Sequence, residues 1–196
     1  MEPPLYPRAR IEAFTDAIFG VSMTLLVLDV RLPEDFRPGD SAEMIQGIVA
    51  LWPKFFPYAL SFLVLGLRWL SFVRLSPTEE SYGPQYTKYW LIFLFLVTCV
   101  PFTTIAVGRY ASLAPAIWLY AGNTALIGLA SLALLHHTPG MDQKNADWRG
   151  RRISLVILVC SALIATGWSF ISPHQALWAF ALNVFSPLLA RLRGAA

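Results

Sequence analysis

Charge is scarce in this chain. Only 14% of its 196 residues are Asp, Glu, Lys or Arg, where a soluble domain carries about 25%. Hydrophobic residues make up 56% and the mean hydropathy is +0.55. Together these exclude an ordinary soluble globule and make lipid the missing solvent. Cysteine is scarce too. Cys99 and Cys160 both fall inside apolar runs, which argues against a secreted disulfide framework and reads as two buried thiols acting as small hydrophobes. No small-residue cleavage site follows the apolar run after Arg8 and Arg10. The chain goes on as Asp29-Val30-Arg31-Leu32-Pro33, so this segment reads as a retained first helix rather than a leader. No nucleophile–base pair, phosphate loop or zinc spacing stands out, so neither an enzyme nor a cofactor is expected. His136-His137 is a poor metal pair, because adjacent residues on a helix point apart. No repeat at half length supports an inverted-repeat transporter. The net charge of +3 matters less than where the charges sit, and nucleic acid is not an expected partner.

What is present is apolar length. Six segments stand out, at about 11–30, 48–73, 89–107, 116–135, 153–172 and 175–192. Each is near the roughly 20 residues needed to cross ~30 Å of hydrocarbon. They predict an all-α membrane protein, one transmembrane domain over residues 1–196. Segment two is interrupted by Lys54 and Arg68, and segment six by Asn183 and Pro187. Polar linkers with Pro and Gly separate the segments. With the N-terminus inside and six crossings, only Arg31, Arg37, Lys54 and Arg109 of the 15 Lys and Arg fall outside. That asymmetry predicts that both termini are cytoplasmic. Trp52, Trp69, Trp90, Trp118 and Trp148 lie near expected helix ends, as interfacial anchors do. Arg149-Gly150-Arg151-Arg152 reads as positive-inside bias or as contact with anionic lipid heads. Pro101 is expected to kink its helix, with Thr103 or Thr104 satisfying the freed carbonyl.

The first helix carries the chemistry. It places Asp16 about a turn and a half inside, and a carboxylate there needs a partner. One reading has Asp16 pairing with a donor on a neighbouring helix. Another has it touching a permeant ion. At 100° per residue, Ala17, Val21, Thr24, Leu25 and Leu28 share one face. By spacing alone that face suits a helix–helix seam, which Gly20 and Ser22 would let close tightly. Arg10 and Asp16 do not share a face, so each should reach a different helix or, for Arg10, the interface. Asp29, near the outer end, is either a cation-focusing charge or a solvated carboxylate facing Arg31.

Arg10-x-x-x-Phe14-Thr15-Asp16 resembles the Arg-x-x-x-Phe-Ser/Thr-Asp signature of the transmembrane protein 175 family. That family comprises the lysosomal potassium channel of animals and its shorter prokaryotic relatives. The similarity continues through Thr24-Leu25-Leu26-Val27-Leu28-Asp29 and through Leu60-Ser61-Phe62-Leu63-Val64-Leu65-Gly66-Leu67-Arg68-Trp69. It returns in Pro101-Phe102-Thr103-Thr104 and in Ile117-Trp118-Leu119-Tyr120. The resemblance implies a six-helix subunit of the single-copy prokaryotic type, assembled as a homotetramer with a central pore lined by helix one. It implies an apolar constriction at Val21, potassium selectivity supported by Thr24, and further apolar rings at Leu25 and Leu28. It makes Arg10, Phe14, Thr15 and Asp16 the signature network. Two departures are visible. Ser71, Phe72 and Val73 stand where family members often carry a histidine after the tryptophan, and Val21 is smaller than the leucine or isoleucine expected.

The reading implied is a moderately potassium-selective cation channel in a prokaryotic plasma membrane. Its partners are its own copies, membrane lipids and monovalent cations. It has no Thr-x-Gly-Tyr-Gly filter loop, so four apolar side chains at one level would gate by excluding water. The rivals are a secondary transporter coupled at Asp16 and a non-conducting membrane scaffold.

Overall fold

Prolines at the first helical positions set where the long helices begin. A missing N–H costs nothing there, and φ is already helical. Pro53, Pro84 and Pro115 start three of them. The computed structural model describes residues 5–74, 80–138 and 146–181. Within these, α1 (Arg8–Leu25) tightens into a 3-10 turn over Leu26–Asp29. It is followed by α2 (Ser41–Val49), α3 (Trp52–Val73), α4 (Pro84–Tyr110), α5 (Ala114–His137) and α6 (Ala146–Trp168). A short α7 (Pro173–Ala176) and a 3-10 turn (Leu177–Ala181) close the described chain.

Five of these helices are long and apolar enough to cross a membrane. The sixth expected span, about 175–192, enters the described residues only as α7 and the following turn. Its remainder lies outside them. The second expected span, 48–73, is not continuous. Residues 48 and 49 end α2, and Pro53 opens a new helix. Helix α2 itself was missed. Its signal was an acidic residue followed three positions later by Glu. Asp40 accepts from the Glu43 amide at 2.8 Å, and Glu43 accepts from the Gly39 amide at 2.6 Å. No residue of α2 is buried, and its apolar Ile45, Ile48 and Val49 are exposed.

A two-residue antiparallel bridge pairs β1 (Tyr6–Pro7) with β2 (Ser81–Tyr82). It is extended by the Arg8 amide donating to the Glu80 carbonyl at 3.0 Å. The segment before α1 and the link between α3 and α4 therefore meet at one end of the bundle.

The core has two parts. Phe19 of α1, Leu26 of the 3-10 turn after it, Leu65 of α3, Phe93 and Val97 of α4 and Ile127 of α5 belong to the first. Leu60, Val107, Ile117, Ala162, Ala165 and Phe180 belong to the second. Small residues let α5 and α6 approach closely. A Cβ built on Gly128 would sit 2.6 Å from a methyl of Val159. A buried hydroxyl chain crosses the core: Thr104 of α4 bonds Ser61 of α3 at 2.8 Å, and Ser61 bonds Tyr120 of α5 at 3.0 Å. Each hydroxyl is satisfied, as a dry interior demands.

Two local expectations are corrected, the carbonyl served by Thr103 and Thr104 and the burial of the cysteines. Helix α4 runs through Pro101 unbroken. Thr103 and Thr104 bond the Val100 carbonyl, whereas the carbonyl that Pro101 frees is four residues back, at Val97. Both cysteines are free, but Cys160 is exposed and Cys99 only half-buried. An apolar run crossing lipid has an outward face as well as an inward one, so apolar context did not imply burial. His136 and His137 are both exposed; the Nδ1 of His137 sits 2.8 Å from the Ala133 carbonyl and its ring lies 4.9 Å from that of Tyr89.

Candidate functional site

Helix α1 divides cleanly into two faces. Ile11, Thr15, Phe19, Ser22 and Leu26 are buried, at spacings of three and four that place them on one stripe against the bundle. The opposite stripe looks away from the subunit. Ala17, Gly20 and Thr24 are exposed, as are Val21 (56%), Leu25 (42%) and Leu28 (61%). A Cβ added at Gly20 would meet nothing within 4 Å.

The Thr24 hydroxyl lies 3.0 Å from the Gly20 carbonyl and 2.9 Å from the Val21 carbonyl of its own helix. Its proton is thereby committed to the backbone. The oxygen lone pairs are left to the exposed side, where they can accept only from a donor or a cation.

The signature segment is clamped by two tryptophans from different helices. Trp90 of α4 donates its indole N–H to the Thr15 hydroxyl at 2.8 Å, and Thr15 donates to the Ile11 carbonyl at 2.7 Å. Trp69 of α3 donates to the Asp16 carboxylate at 2.8 Å. Phe14 packs against Trp90 with ring centroids 5.7 Å apart. Asp16 thus has its donor on a neighbouring helix. Arg10 is exposed.

Trp69 and Trp90 have their indole N–H groups engaged within the bundle. So does Trp118, whose indole donates to Ser169 at 2.8 Å. An indole N–H inside a bundle must find an acceptor, and sequence position near a helix end does not reveal which. Trp90 is the functional contact that sequence reasoning missed.

Asp29 is also relocated. Its side chain is only 7% exposed and turns into the bundle, where Nε of Arg109 donates to Oδ1 at 2.9 Å and Nη2 shares the same oxygen. The partner is on α4, not at Arg31, which instead lies 3.7 Å from Glu34. A carboxylate at the end of a spanning helix is held more cheaply by a cation across the bundle than left bare at the lipid boundary. Among the described residues, no group of three or more His, Cys, Asp or Glu could hold a metal ion.

The family model described as endosomal/lysosomal potassium channel TMEM175 matches residues 10–101, the stretch that holds α1 to α3 and most of α4. The chain is 31% identical over 101 residues to a potassium channel of Streptomyces collinus, covering 52% of this chain and 48% of that one. It therefore spans about half the length of that relative. It is 28% identical over 143 residues to a potassium channel of Chamaesiphon minutus, covering 70% and 69% of the two chains. A 69-residue stretch is 33% identical to the human endosomal/lysosomal proton channel TMEM175, covering 33% of this chain and 14% of that one. In fold, the chain superposes on the crystal structure of a lysosomal potassium-selective channel TMEM175 homologue from Chamaesiphon minutus. The TM-score is 0.75 at 24% identity, covering 93% of this chain and 97% of that one.

Proposed function

We propose that this chain belongs to the TMEM175 family, whose model matches residues 10–101, and is one subunit of a homotetrameric potassium channel in a prokaryotic plasma membrane. The exposed face of α1 lines its central pore. The chain is an integral membrane protein, and the relatives it matches are themselves named potassium channels. The observation that carries the reading is the division of α1. One stripe packs in the core, while Val21, Thr24 and Leu28 turn away from their own subunit. A seam within the subunit, the rival that spacing alone favoured, does not use these side chains.

The physics follows from the side chains. Four copies of Val21 at one level form an apolar ring that excludes water and stops ions without a charged plug. Leu25 and Leu28 add apolar rings toward the outer end. Thr24 presents four oxygens with their protons tied back to the helix, a lining that favours a partly dehydrated potassium ion. Moderate rather than extreme discrimination against sodium is expected, because hydroxyls on a movable helix fix the cavity less tightly than a carbonyl cage. Phe14, Thr15 and Asp16 act by holding α1 in register, not by touching the ion. With one carboxylate oxygen engaged by Trp69, Asp16 serves as a helix anchor better than as a transporter's coupling site. Asp29, neutralised by Arg109, anchors the outer end. With both ends pinned, a modest splay or rotation of the middle of α1 opens the ring. Both termini are cytoplasmic in this reading.

The test is current through purified protein in planar bilayers, with cross-linked mass giving the subunit number. Ohmic openings that Val21→Trp abolishes are expected, with a cross-linked mass of four subunits. A strict monomer, or current indifferent to substitution at both Val21 and Leu25, overturns the reading.

A further inference from the structure

Polar fastenings tie α1 and the 3-10 turn that ends it to α4. Trp90 holds Thr15 and Arg109 holds Asp29, both through side chains. A further fastening is made by backbone. Strand β1 runs straight into α1, whose first residue is Arg8, and β2 stops one residue short of α4, which begins at Pro84. Tyr6 lies opposite Tyr82 and Pro7 opposite Ser81. The Arg8 amide donates to the Glu80 carbonyl at 3.0 Å. Hydrogen-bonded pairs alternate with open ones along an antiparallel ladder. Pro7 therefore stands at an open pair, where its missing N–H costs nothing.

The two halves of this bridge are unequal. Tyr82 is buried and stacks on Tyr86 of α4, with ring centroids 4.0 Å apart and planes 10° from parallel. That fixes β2 to the bundle. Tyr6 and Pro7 of β1 are both exposed, so water competes for the bonds of β1, and a pairing this short is marginal on its own. The Trp90–Thr15 bond is different, because both residues are buried and water does not reach it. The fastenings also differ in compliance. A side-chain clamp follows a small turn of α1 by changing its own torsions. A backbone bridge that enters the helix without a linker cannot. It is stiff while formed and easily undone, as a latch is.

We propose that the β1–β2 bridge is a latch on the pore helix. Formed, it limits how far α1 turns and keeps the Val21 ring closed. Undone at β1, with β2 still held by the tyrosine stack, it lets α1 turn further and the ring widen. This rests on the channel reading, in which the exposed stripe of α1 lines the pore.

Pro7→Cys with Ser81→Cys locks the latch in the full chain, with Cys99 and Cys160 replaced by alanine so that no other thiol competes. An open antiparallel pair has Cα atoms about 4.5 Å apart, within the ~4.4–6.8 Å that a disulfide spans. Mild oxidation should therefore form the bond, seen as loss of maleimide labelling. In planar bilayers the oxidised protein should show open probability lowered about tenfold or more, restored by reduction. Amide hydrogen exchange over α1 should slow in the oxidised form. Arg8→Pro removes the amide donor at a helix position that accepts proline. It should raise open probability about two- to tenfold, the worth of one backbone hydrogen bond. Arg8→Gln keeps that amide while giving up the side-chain bond to Glu12, and should change it less. The proposal is overturned if the disulfide does not form, if it changes neither open probability nor exchange, or if Arg8→Pro behaves as Arg8→Gln does. If neither wild type nor the alanine-substituted parent passes current, the channel reading falls by itself. Exchange then decides the latch: slowing over α1 upholds it, and unchanged exchange removes it.

Discussion

Arg109 reaches from α4 to place two guanidinium nitrogens on a single oxygen of Asp29, closing the C-terminal end of the first helix onto the bundle. A neutralised carboxylate focuses cations weakly. Asp29→Asn should therefore keep low-salt single-channel conductance within about twofold of wild type, rather than the tenfold or more that an unpaired ring gives. The same variant should lower the melting temperature of the purified protein, because Arg109 loses its counter-charge. A large conductance drop with unchanged stability would return Asp29 to the mouth of the pore.

The two tryptophan clamps should differ in cost. Trp90→Phe leaves the Thr15 hydroxyl, fully buried, without its donor and should destabilise by about 1–3 kcal/mol. Trp69→Phe frees a carboxylate on an exposed residue, which water can serve, and should cost less. Asp16→Asn keeps a carbonyl oxygen for the indole and should cost less than Asp16→Ala. Thermal melts of the detergent-solubilised protein rank the four, and a double-mutant cycle between Asp16 and Trp69 should show coupling.

Gly128 and Gly122 are a matched pair on α5. A methyl at Gly128 collides with Val159, whereas one at Gly122 meets nothing within 4 Å. Gly128→Ala should destabilise by about 1–3 kcal/mol. Gly122→Ala should be neutral or slightly stabilising, since Ala is the better helix former. Equal melting temperatures for the two variants would contradict the tight α5–α6 approach.

Thr24→Val keeps the shape of the side chain and removes its oxygen. In bi-ionic conditions the reversal potential should move toward zero as the potassium-to-sodium permeability ratio falls toward one, with current preserved. Thr24→Ser should restore most of the ratio. An unchanged ratio in Thr24→Val would remove selectivity from this residue while leaving the pore at Val21 untouched.

Much of this molecule was legible along the chain. Lipid as solvent, the long helices and the stripe shared by Val21, Thr24 and Leu28 all follow from hydropathy and from the 3.6-residue period, which are local properties. The interruption before α3 was legible too, in Pro53 and in the Asp40–Glu43 spacing, but it was hidden by an apolar run that continued across it. Burial of the cysteines was not legible, because hydropathy does not say which side of a spanning helix meets lipid.

Sequence by itself determined that these helices form and which side chains share each face of α1. Only the tertiary structure decided which face docks, and which donor answers each polar group: Trp90 for Thr15, Trp69 for Asp16, Arg109 for Asp29 and Ser154 for Arg68. Those partners lie 53 to 86 residues apart in the chain. A helix dictates neighbours only three or four positions away. Over longer separations the choice belongs to packing, which brings a donor within reach of a group that has no water to turn to.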